Sequence, residues 1–301
     1  MTFSAFDKRS AKRSARRCAS RLATFGAAAV LAACAGGDEE TTPQAEGTRI
    51  SDAGPQHVHG LGINPADDSL LIATHSGLWR APADQRKAER VADVRHDLMG
   101  FTVVGPDRFL ASGHPDARTD LPPQLGLQRS IDGGRSWDAI SLLGEADLHV
   151  LRAAGERVYG VDSGTGAFLT SADGGQAWQQ RTPPAPVFDL AIDPDDADAV
   201  VAATERGLFG STDTGRTWRP LGDTTGLLAW PADHRFFLVE GDGQVSRSSD
   251  AGRTFERTGR IGGLPEAFAA NGERELYAAL HGGEVLMSAD GGANWRTRST
   301  P

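Results

Sequence analysis

Only two cysteines occur in the 301 residues, Cys18 and Cys34, and both precede the body of the chain. No disulfide can staple that body, so its stability has to come from packing. Tyrosine is as scarce: Tyr159 and Tyr277 are the two copies, and both sit in alternating apolar stretches that read as core. No glycine-rich phosphate loop and no Ser-His-Asp signature is present, which sets aside nucleotide-phosphate and serine-hydrolase chemistry. The apolar run from Leu22 to Ala33 is too short for a permanent membrane-crossing helix.

That run has another reading. Residues 1–21 carry Lys8, Arg9, Lys12, Arg13, Arg16, Arg17 and Arg21 against the single acid Asp7, and the run closes on Leu31-Ala32-Ala33-Cys34. A basic region, a short apolar region and small residues before a cut describe a secretory signal. Leu-Ala-Ala-Cys resembles a bacterial lipobox, which implies lipidation of Cys34. The expected organisation is a signal over 1–33, a polar tether over 34–50 and one folded domain over 51–301. The mature protein is then exported and lipid-anchored, outside the cytoplasmic membrane or in the periplasm or outer membrane. Removing residues 1–33 takes away seven basic residues and one acid, moving the net charge from −9 to about −15, a surface that repels nucleic acid and anionic headgroups.

What the chain has in abundance is one repeated sentence. It reads Ser130-Ile-Asp132-Gly-Gly134-Arg-Ser-Trp137, and returns around Asp173, Asp213, Asp250 and Asp290. Successive copies begin at Ser130, Ser171, Ser211, Ser248 and Ser288, steps of about 40 residues, the length of one four-stranded propeller blade. The Asp accepts turn amides, the Gly supplies positive φ, and the closing aromatic is large enough to wedge between blades. Five copies of one carboxylate suit a turn staple better than one active site.

This sentence resembles the Asp box, or bacterial neuraminidase repeat. Residues 51–301 are similar to Asp-box β-propellers, a group that includes sialidases, other glycoside hydrolases, sortilin-type receptors and photosystem II assembly factors. The resemblance implies an all-β propeller. Aligning outward from the boxes gives six four-stranded blades, with seven the lesser alternative, and boxes between third and fourth strands. Each blade holds all its own strands, so the ring closes by packing of first blade on last.

Strand direction separates two faces. The boxes occupy one, whereas inner strands begin and second strands end at the other. There the second strands deliver His75, His114, Asp162, Glu205, Glu240 and His281. Inner strands begin at His57, Asp97 and Asp147, and two residues deeper His59, Met99, His149 and Asp189 share one register, pointing into the central channel. His96 adds to the rim. An insertion between Pro115 and Leu125 is placed to form a partial lid.

Imidazoles, carboxylate and thioether at one depth suit a transition metal, copper or zinc. His57, His59, Met99, His149 and Asp189 are the candidate metal ligands, with His75, His114, Asp162 and His281 as further ligand-binding positions. One function that fits is an envelope lipoprotein holding a metal, a small ligand or a partner segment, an envelope protein or glycan being the expected contact and a monomer the expected state. The other is a glycoside hydrolase, implied by the resemblance, using Asp97 with Asp147 or Glu205 with Glu240. The sialidase mechanism would need a tyrosine nucleophile and an arginine triad, and no such pattern is found.

Overall fold

The computed structural model describes residues 54–301; the expected signal over 1–33, Cys34, the expected tether over 34–50 and residues 51–53 lie outside the described residues. Among those residues, six antiparallel sheets each contain four strands in chain order, and no helix occurs: a six-bladed β-propeller. The inner strands are Val58–Ile63, Asp97–Gly105, Leu148–Ala154, Val187–Ile192, Leu227–Ala232 and Pro265–Asn271. The fourth strands are short and largely exposed, as in Asp138–Ser141.

Blade order follows from where the apolar residues go. Leu70–Thr74 and Val200–Thr204 are buried at every position, because both faces of a second strand meet a neighbouring blade. The core is therefore a ring of six clusters, each formed by two consecutive blades. Leu71, Leu78, Phe101 and Phe109 join blades one and two, and Val58, Ile72, Tyr277 and Met287 join blade one to blade six. Closure needs no exchanged strand, as expected. It adds the Arg298 guanidinium donating to the carbonyls of Ala81, Pro82 and Gln85, and a bridge between Lys87 and Thr300.

The repeated turn acts as a staple. In the third copy Ser211 Oγ donates to Asp213 Oδ1 at 2.8 Å and accepts the Gly215 N–H at 2.8 Å. Thr217 then gives Asp213 its N–H at 2.8 Å and its hydroxyl at 2.6 Å. The closing aromatics Trp137, Trp178, Trp218, Phe255 and Trp295 pack on inter-blade clusters. Gly175 shows why its position is glycine: φ is +76 to +92° at the five equivalent glycines (+88° here), and a Cβ would lie 2.1 Å from Leu127 of the preceding blade. The turns also bond the hairpins between inner and second strands, Gly133 N to Asp107 O and Gly174 N to Glu156 O, so both share one face.

The staples predict an acid limit. Hydrogen bonds from the Thr217 side chain, the Thr254 backbone and the Asn294 side chain hold Asp213, Asp250 and Asp290 at about 2, against about 3.9 in an unfolded chain. A carboxyl depressed by folding contributes stability above its unfolded pKa and loses it as pH falls through the folded one. The melting temperature should hold from neutrality to about pH 4 and drop steeply between about pH 4 and 2. Thermal melts across that range check this; a flat profile would contradict it.

Candidate functional site

The inner strands do not enter the ring as regular strands. Their pairing slips by one residue between Val58 and Gly60, Leu98 and Gly100, Val187 and Asp189, and Pro265 and Ala267. A fifth slip skips His149, since Val161 pairs with Val150 and Asp162 with Leu148. Each is a β-bulge, and a bulge re-aims the extra residue. The five extra residues are His59, Met99, His149, Phe188 and Glu266. All five line an axial channel of about 580 Å³.

The bulges correct one expectation. Asp189 does not share the register of His59, Met99 and His149; Phe188 does, and one residue of slip turns a side chain to the other face. Asp189 is 2 % exposed. It accepts Arg152 at 2.5 Å and the Leu190 and Leu228 amides at 2.8 Å each, tying blades three, four and five together. Burial pushes its carboxyl above the usual range, against the pull of Arg152. The same bulges bring in Glu266, which the sequence reading passed over.

Two His/carboxylate groups form at the face opposite the staples. In the first, His59 Nε2 lies 3.2 Å from His75 Nε2. Asp97 Oδ1 lies 2.8 Å from His75 Nδ1 and 4.0 Å from His59 Nε2. In the second, Asp147 Oδ2 lies 2.7 Å from His149 Nε2 and 3.3 Å from His114 Nε2. Within each group one donor atom per residue falls within 4.8 Å of the others. Donors bonded to one ion at about 2.0–2.2 Å sit roughly 3–3.6 Å apart, so small rotamer changes suffice.

Two further features favour ligation. Buried Asp97 Oδ1 is met by the His75 ring nitrogen at 2.8 Å and by no hydrogen bond of good geometry, and Asp147 Oδ1 is buried without a hydrogen-bond donor beside the oxygen that the rings meet. The lone pair of His59 is also available. Burial, then the adjacent His75 ring, pulls His59 down to about 4, so it is neutral at pH 7. His149 is raised by its bond to Asp147. Burial opposes ionisation of Asp147, but bonds from His149 and Ser163 hold it below the usual range.

The remaining candidates fall around these groups. Asp162 is structural, accepting the Asp147 amide at 2.9 Å and the Thr165 hydroxyl at 2.6 Å. His281 Nδ1 meets Glu266 Oε1 at 2.6 Å, and the His57 ring lies between those of His75 and His281. Glu205 is exposed and Glu240 half-buried, and neither belongs to either group. His96 is not on the rim: it is buried and accepts the Asp116 N–H at 2.9 Å. That bond and the Asp116–Arg118–Asp93 ion pairs fasten the insertion over 115–125. Its Pro123 carbonyl meets His114 Nδ1 at 3.0 Å, leaving Nε2 for Asp147 or a ligand.

No protein-family model matches the chain. The dispase autolysis-inducing protein of Streptomyces mobaraensis is 33% identical over 157 residues, covering 52% of this chain and 38% of that protein. The GH74 enzyme of Niastella koreensis superposes with a TM-score of 0.57 at 14% identity, covering 82% of this chain and 46% of that one. A chain of a nidogen/laminin complex gives 0.60 at 14% identity, covering 77% and 93%. The chain thus spans under half the length of the curated relative and of the GH74 enzyme. The structural likenesses extend to the fold.

The Asp189 assignment carries its own test. Arg152→Met leaves a buried carboxylate without its cation, which costs about 3 kcal/mol or more. Urea unfolding should show that loss, partly relieved by adding Asp189→Asn. No loss would mean that Asp189 faces the open channel after all.

Proposed function

We propose that the chain is an exported, Cys34-anchored lipoprotein whose funnel binds a transition-metal ion, copper or zinc, through His59, His75 and Asp97. The observation that carries this reading is the pair of imidazole Nε2 atoms 3.2 Å apart beside a buried carboxylate oxygen 2.8 Å from one of the two rings. Burial of His59 adds to it, because a neutral imidazole binds an ion without first shedding a proton. His114, Asp147 and His149 offer a second group of the same kind, and Met99 stands on the bulge between His59 and His149, a thioether suited to copper. A net charge of about −15 after export favours cations over nucleic acid.

The hydrolase reading draws support from the fold shared with GH74 enzymes. It is weakened by chemistry: a general acid needs a raised pKa, and Asp147 is held low. Protein purified without an affinity tag and titrated calorimetrically with Cu²⁺ and Zn²⁺ tests the metal reading. Wild type should bind either ion. His59→Ala and His75→Ala should weaken binding by at least the roughly 10–100-fold that loss of a supporting partner costs. Absence of uptake by wild type, or full affinity in both variants, would overturn it.

A further inference from the structure

Beyond the inner group, four imidazoles form a continuous line from rim to channel. Ring centroids are 6.0 Å apart between His281 and His57, 5.4 Å between His57 and His75, and 4.3 Å between His75 and His59. Side-chain exposure falls along it, from 68% at His281 to 47% at His75 and 21% at His59. Two imidazoles bound to one ion at about 2.0–2.1 Å have centroids roughly 4.5–6.3 Å apart as the angle at the ion widens from about 90°, so the inner pair needs only a slight opening. His57 therefore stands at bridging distance from His281 on one side and from His75 on the other.

The outer end is built rather than incidental. Glu266, re-aimed by the bulge of blade six, meets His281 Nδ1 with one oxygen at 2.6 Å and accepts the Val58 amide with the other at 3.2 Å. The first contact leaves His281 Nε2 to face outward; the second fixes the chain beside His57. His57 itself has φ +52°, a left-handed conformation that is uncommon away from glycine and that concentrates at ligand sites. One of eight described non-glycine residues with positive φ, it is also the residue that stands between the two pairs.

We propose that His281 and His57, supported by Glu266, form an outer capture site from which the ion is handed to His75 and His59. This rests on the metal reading of the funnel. Each step is a ligand exchange: an inner nitrogen lone pair forms a bond to the ion as an outer nitrogen–metal bond breaks. The oxidation state is unchanged and the carrier's ligands are released to solvent. Such a line lets the propeller strip a borderline cation from a weak complex, instead of waiting for the free aqueous ion.

Stopped-flow loading of the full chain from the bis-glycine complex of Cu²⁺, followed by visible absorbance, tests this against equilibrium titration with the same complex. His57→Gly removes the ring and the backbone strain together, protecting the fold; His281→Ala removes the rim donor. Both variants should load the inner site several-fold more slowly at unchanged inner-site affinity, and His57→Gly should show the larger effect. Rates equal to wild type would overturn the proposal. So would loss of inner-site affinity in His57→Gly matching that of His59→Ala, which would make His57 an ordinary inner ligand. A wild type that takes up no copper overturns the funnel reading as well, and is told apart from both by its blank titration.

Discussion

One extra residue near the start of an inner strand decides what the channel contains. Without the bulge, the period of two would carry alternate residues toward a neighbouring blade. With it, His59, Met99, His149, Phe188 and Glu266 turn to the axis while the pairing beyond resumes. Blade five shows no slip at the corresponding position, where Leu227 and Leu228 pair in step with Val239 and Leu238. The polar groups accordingly gather on blades six, one, two and three, so the funnel is one-sided: an arc of imidazoles and acids faces an arc that includes Phe188 and Trp230.

The staples and the site divide the disc between them. Each repeated turn folds within a few residues and bonds the hairpin beside it, four by a backbone amide and the Asp250 copy through the His234 ring, so five copies brace one face by local contacts. The other face is freed from that duty. Its backbone carries a bulge in five blades and a left-handed His57, and it leaves the buried Asp147 Oδ1 without a donor. Departures of this kind cost stability and persist where surrounding structure holds them. Here the inter-blade clusters do the holding, down to the closure between blades six and one.

The sequence announced the propeller because its signals are local. The Ser, Asp, Gly and aromatic of the turn are all needed within eight residues, and their spacing counts the blades. The two faces followed from strand direction alone. The site was legible only in part. His57, His59, Met99 and His149 stood out by matching register in three consecutive blades, where the bulges coincide. In blade four the polar Asp189 looked like the channel residue; the bulge turns Phe188 to the channel instead, and Arg152, distant in sequence, satisfies the buried acid. Glu266 was missed because a bulge has no residue signature of its own. His75 and His114 read as rim positions, since their approach to His59 and Asp147 depends on how neighbouring strands meet across the sheet and between blades.

The central claim is that these bulges converge imidazole and carboxylate donors on one face to hold a transition-metal ion. Anomalous diffraction at the copper or zinc edge, from crystals grown with the ion, tests it most directly. The account predicts a peak between His59 and His75, about 2.0–2.1 Å from a nitrogen of each. Density on the face of the repeated turns alone, or none in the funnel at saturating metal, would contradict it.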